Sequence, residues 1–168
     1  MVAVSLKKKN TSTEATNFVN KTIWYEQNAH PYHDTFVSLG EQLDAETYAA
    51  VSCEAIVDAY VPESWNVIRH YERDASWSGS QFLADLNSGA HLVNHLGHAN
   101  SGYNAKLYTS ANFQNAAPYF MYSQGCWSGS FDTRDVCIAE AHVVNQKGAF
   151  GVIMNSRYGW YSPGEWIL

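Results

Sequence analysis

Two short apolar runs, each closed by glycine and followed at once by a reactive side chain, constrain this chain more than any other feature. One is Leu92-Val93-Asn94-His95-Leu96-Gly97, which leads to His98; the other is Tyr119-Phe120-Met121-Tyr122-Ser123-Gln124-Gly125, which leads to Cys126. Runs of this length read as buried strands, because glycine is a poor helix interior residue and natural punctuation at a strand end. In an open parallel sheet the carboxyl ends of neighbouring strands face one crevice. The spacing therefore predicts an imidazole and a thiol delivered to the same place.

That pairing has a chemical meaning. A free thiol is only slightly ionised at neutral pH, and a nearby imidazole can take its proton, stabilise the anion and later pass the proton to a leaving amine. Cysteine plus histidine is the minimum for acyl transfer. Taken singly, such residues are more often a small buried hydrophobe and a hydrogen-bonded structural group.

The rest of the chain supplies the context. A helix is predicted over 11–28, opened by a Thr11–Glu14 capping box, with Ala15, Phe18, Val19, Thr22 and Ile23 at helical spacing. Residues 34–40 read as a strand with Glu41 at its exit, 52–60 as a helix stopped by Pro62, and 65–71 as a strand near a sheet edge. A short helix over 80–87 turns Phe82, Leu83 and Leu86 inward and stops at Gly89. Residues 99–117, rich in Asn, Ser, Gly and Ala, read as loop with one helical turn near Ala111. A helix follows from Thr133 or Asp135 to Gln146, with Ile138, Ala141, His142 and Val144 as its buried stripe, and 149–155 reads as a strand. This alternation predicts an α/β fold with a mainly parallel sheet sandwiched by helices. Residues 1–10 form a tail and 11–168 a single α/β domain.

On this map Glu41, His98 and Cys126 each follow a strand, and a fourth strand leads to Ser156-Arg157-Tyr158-Gly159-Trp160. A carboxylate beside an imidazole fixes its tautomer and stabilises its protonated form. The alternative for Glu41 is a solvated loop carboxylate or a helix cap.

Composition excludes several classes. With a formal net charge of −6 and only ten Lys and Arg, the chain has no electrostatic footprint for nucleic acid. Three cysteines leave at least one thiol unpaired, with a Cys53–Cys137 bridge left open. No apolar run approaches a membrane span, and residues 1–10 lack the apolar core of a signal peptide, so the start reads as mature sequence or as a fragment.

The motif from Leu92 to His98, then Tyr122-Ser123-Gln124-Gly125-Cys126 followed by Gly129-Ser130-Phe131, resembles the gingipain family of cysteine peptidases, which have the caspase-haemoglobinase fold. Residues 19–26, 138–155 and 156–163 are similar to segments flanking that family's site. The resemblance implies cysteine endopeptidase activity through an acyl-enzyme, with Cys126 as nucleophile, His98 as general acid/base and Glu41 as the acid behind it. It further implies an oxyanion hole from the backbone N–H groups of Cys126 and Ala99. The family has glycine at position 99; alanine is harmless there if its φ is negative and damaging if positive. Trp160, with Tyr158 and Gln124 beside it, is assigned to the substrate.

By the same resemblance the substrates are proteins or peptides and the location is extracellular or the cell surface. No cofactor is required for the chemistry. Structural calcium is implied, although no loop has a recognisable ligand spacing. Family members also carry further strands and a helix beyond the pocket tryptophan, so the chain reads as truncated at its C-terminus, part of a longer protein. The best-known members cleave after Arg or Lys; Glu54 is only a weak candidate for the acidic residue this needs, so basic specificity is not assumed.

Two other classes compete. His91, His95 and His98 would align for zinc on a helix, whereas a strand holds His91 and His95 about 13 Å apart. Trp127, Tyr158, Trp160 and Tyr161 would suit a noncatalytic peptide- or glycan-binding module.

Overall fold

Residues 11–28 and 31–160 are described by the structure, a computed structural model. In chain order the elements are α1 (Ser12–Gln27), β1 (Thr35–Gly40), α2 (Ala50–Tyr60), β2 (Asn66–Tyr71), α3 (Gly79–Gly89), β3 (Leu92–Leu96), β4 (Ala99–Asn100), β5 (Tyr103–Asn104), β6 (Leu107–Tyr108), β7 (Tyr119–Ser123), α4 (Ile138–Val144) and β8 (Ala149–Met154). Five strands form one parallel sheet in the order β2-β1-β3-β7-β8. This is the expected α/β architecture, with β2 at the edge where its interrupted pattern placed it. No helix among the described residues is long and apolar enough to cross a membrane.

The alternation of strand side chains builds the core. Val37, Leu39, Val93 and Met121 join Phe82 and Leu86 of α3 and Val143 of α4 in one buried cluster. Each such side chain taken from water contributes roughly 1.5–3 kcal/mol. A smaller cluster of Ala50, Cys53 and Tyr71 packs with Leu96, and α2 contacts β1 and β3.

Four expectations need correction. The helix predicted to start at Thr133 or Asp135 is only Ile138–Val144, because Cys137 N–H donates to the Glu140 carboxylate at 2.8 Å and this capping box fixes the start; all seven helical residues are buried. Residues 99–117 hold an antiparallel meander, β4-β5-β6, with no helical turn at Ala111. Its second turn places Ala105 and Lys106 in the left-handed region, φ 48° and 60°. Cys53 and Cys137 are buried free thiols, not a bridge.

The fourth correction concerns α1, where Val19 and Ile23 are exposed and Lys21 is buried instead. The Lys21 ammonium donates to the carbonyls of Val143 (2.8 Å), Lys147 (3.2 Å) and Asn145, closing the carboxyl end of α4. Burial pulls it down to about 8, so it remains charged at neutral pH. A cation on the last carbonyls of a helix is favourable, which accounts for a lysine facing inward here.

Candidate active site

The sheet register decides where the reactive residues meet. β3 and β7 are adjacent and parallel, with His95 opposite Ser123. His98 stands three residues beyond His95, and Cys126 three beyond Ser123. They therefore leave neighbouring strands, about 4.8 Å apart, at the same level. The loops then touch: a Cβ on Gly125 would lie 2.4 Å from the Ala99 Cβ, so the residue before the thiol packs on the residue after the imidazole.

Glu41 leaves β1, the other neighbour of β3. It is buried and reaches the site differently from the expectation. One oxygen accepts the backbone N–H of His98 at 3.0 Å and the other meets His95 Nε2 at 3.2 Å. Burial pushes the Glu41 carboxyl up, but the His95 hydrogen bond and field, with the His98 N–H, outweigh it and hold it below the ordinary carboxylate range. The His98 imidazole is exposed and makes no hydrogen bond among the described residues. Glu41 thus holds the histidine by its main chain, not by its ring.

Sequence reasoning missed the group between these loops. Ser123 Oγ accepts from Asn104 Nδ2 at 2.7 Å and from Gly125 N–H at 3.1 Å, which fills both lone pairs. Its hydroxyl proton is left for His95 Nδ1 at 2.8 Å. That assigns the His95 proton to Nε2, the nitrogen that donates to Glu41. The only advance signal was a polar residue at the last paired rung of each of two short, buried strands.

Cys126 is half-buried, and its thiol donates to the Gly159 carbonyl at 3.6 Å. The next residue, Trp127, is held in the left-handed region at φ 60°, where a bulky side chain is strained, and its N–H donates to Arg157 O at 2.7 Å. Gly129 N–H to Asn155 O and Asn155 Nδ2 to Gln124 O, at 2.8 and 2.9 Å, complete a strap across the Cys126 loop. From it Tyr158 and Trp160 project with 62% and 78% of their surface exposed, Tyr158 edge-on to Trp127. Of the residues expected to meet substrate, Tyr158 and Trp160 lie open beside the thiol, while Gln124 offers its main chain to the strap.

Ala99 has ordinary extended backbone: among the described residues only Ala105, Lys106 and Trp127 are non-glycine residues with positive φ. The 104–107 pair closes the Ala105–Lys106 turn, so the 103–100 pair carries the hydrogen bonds to β4, and alternation turns the Ala99 N–H away from β5. Glu54 is far from free. It forms a forked ion pair with Arg73, both contacts at 2.7 Å. The zinc alternative fails on geometry, since β3 is a strand, His91 bonds Tyr25 and the His33 carbonyl, and His95 bonds Glu41 and Ser123. A cleft of about 260 Å³ lined by Asn17, Asn20, Trp24 and Asn115 lies at the opposite, amino-terminal edge of the sheet.

The model of peptidase family C25 matches residues 9–167. The chain belongs to this family. Among solved structures, the C25 chain is similar to the Arg-specific cysteine proteinase gingipain R (TM-score 0.79, 19% identity, 92% of this chain and 40% of that one). It is also similar to the complex of Porphyromonas gingivalis RgpB pro- and mature domains (TM-score 0.72, 18% identity, 89% and 39%) and to a structure described as a protease (TM-score 0.75, 21% identity, 88% and 35%). The C25 chain therefore spans about 35–40% of the length of these neighbours. No curated protein matches it.

Proposed function

We propose that this family C25 chain carries cysteine endopeptidase chemistry, with Cys126 as nucleophile and His98 as general acid/base. The observation that carries the reading is the equal advance of these two residues from the paired His95 and Ser123 on adjacent strands. In the reaction His98 takes the thiol proton and Sγ attacks the peptide carbonyl carbon. The oxyanion is received by the N–H groups of Cys126 and Ala99. His98 then protonates the departing amine, and water, activated by the same imidazole, hydrolyses the thioester. The thiol must leave the Gly159 carbonyl for this to start, and hydrogen bonds in free enzymes commonly rearrange in this way when substrate binds.

Protein or peptide substrates would lie along Tyr158 and Trp160, with Gln124 beneath them, and the place of action would be outside the cell. Among the described residues no three His, Cys, Asp or Glu side chains gather as a metal site. The test is turnover of a positional peptide library by the 168-residue chain. Hydrolysis lost in Cys126→Ala is expected; hydrolysis that survives in it overturns the mechanism.

The exposure of Tyr158 and Trp160 favours one second reading, a noncatalytic peptide- or glycan-binding surface. It predicts a Cys126 thiol whose reactivity is indifferent to His98→Ala.

A further inference from the structure

We propose that His95 and Ser123 are positioning residues for the Cys126–His98 pair, bridging the carboxylate that holds the His98 main chain to the amide that precedes the nucleophile. This rests on the peptidase reading and adds to it a device that sets the separation of the two reacting groups.

The bridge is continuous. It runs from the His98 N–H to Glu41, from Glu41 to His95 Nε2, from His95 Nδ1 to the Ser123 hydroxyl, and from Ser123 Oγ to the Gly125 N–H. It joins the exit of β1, where Glu41 sits, to the last paired rung of β3 and β7, where His95 and Ser123 lie side by side. A branch from the same Ser123 oxygen to Asn104 Nδ2 holds the meander that begins at Ala99. One hydroxyl thus fixes the loop of the thiol and both proposed oxyanion donors.

The cost of the arrangement argues against a merely structural role. His95 and Ser123 are buried on a sheet face that carries Val37, Val93 and Met121 behind them, and Asn104 is buried against them from β5. Buried polar groups are tolerated only when paired, and apolar packing of similar volume serves stability at least as well. Asn104 Oδ1 has no hydrogen-bond partner among the described residues, while its amide nitrogen reaches Ser123. Gly97 makes room for the bridge, since a Cβ there would lie 2.5 Å from His95 Nε2 and 2.6 Å from Glu41.

Iodoacetamide alkylation of Cys126, followed from about pH 5 to about pH 9, reads the thiol directly because only thiolate reacts. In the unmodified chain the rate should rise at lower pH than in His98→Ala. That difference tests the peptidase reading, and its absence sinks both ideas together. Given the difference, Ser123→Ala and His95→Leu should move the profile to that of His98→Ala and lower kcat roughly a hundredfold, the scale of about 1 Å of misplacement. His95→Gln, which keeps one donor and one acceptor, should restore most of it. If Ser123→Ala, which removes a single oxygen, instead retains the profile of the unmodified chain, the positioning role is wrong while the Cys–His chemistry stands. Should His95→Leu fail to fold, the serine variant decides alone.

Discussion

Gly125 and Ala99 touch in a way that admits one methyl group and not two. A Cβ on Gly125 would lie 2.4 Å from the Ala99 Cβ and 2.8 Å from Asn104 Nδ2. Gly125→Ala should therefore destabilise the fold by about 1–3 kcal/mol, as overpacking does, and spread the loops that carry His98 and Cys126. Urea melts and peptide turnover would both register it. Adding Ala99→Gly should recover part of each loss; no recovery would mean that the contact does not set the spacing.

The three thiols should separate cleanly by reactivity. Burial pushes Cys53 up to about 12 and Cys137 up to about 11, whereas Cys126 is partly open. Mass analysis after iodoacetamide treatment of the native chain should find Cys126 labelled and the other two untouched. In denaturant all three should label alike.

Acid stability should depend on His142. It is fully buried, bonded through Nδ1 to Tyr119 at 2.7 Å, and burial, with the field of Lys21, lowers it to about 3 from 6.5. Between those values the unfolded chain binds a proton that the folded chain refuses. The contribution is complete above about pH 6.5 and lost as pH falls toward 3, at up to about 1.4 kcal/mol per pH unit. Unfolding midpoints of His142→Leu should fall less steeply across that window.

Lys21→Met should destabilise the chain by about 2–4 kcal/mol, because it strips a charged donor from three carbonyls at the end of α4. Equilibrium denaturation measures the loss. A change near zero would show those carbonyls to be satisfied by water.

Glu54→Gln should leave cleavage preference unaltered, since both carboxylate oxygens are engaged by Arg73. A preference for basic residues that disappears in this variant would return Glu54 to the substrate site.

The parallel sheet and its reactive ends were legible because strand length, glycine stops and the Thr11–Glu14 box are local signals. The meander was not. Its strands are two residues long, and its left-handed turn is built from Ala105 and Lys106 where Asn-Gly would have announced it. The early start assigned to α4 came from helix-compatible residues before Cys137, overridden by the Glu140 cap. The buried roles of Lys21 and His95 escaped notice for a common reason. A polar side chain is stable inside only through partners distant in sequence, Val143 in one case and Glu41 in the other, and no local pattern reveals them.

The site can be counted as well as drawn. Between the facing His95 and Ser123 and the side chains of His98 and Cys126 lie spans of equal length, so under the proposed mechanism the spacing of imidazole and thiol is set in whole residues. Extra residues in the turns at the far edge of the sheet would cost only slowly growing closure entropy. One residue gained or lost in either short span would move His98 or Cys126 out of step with the other, because the paired rung behind them is fixed by the sheet. Length is thus cheap to change in those far turns and dear in these two spans.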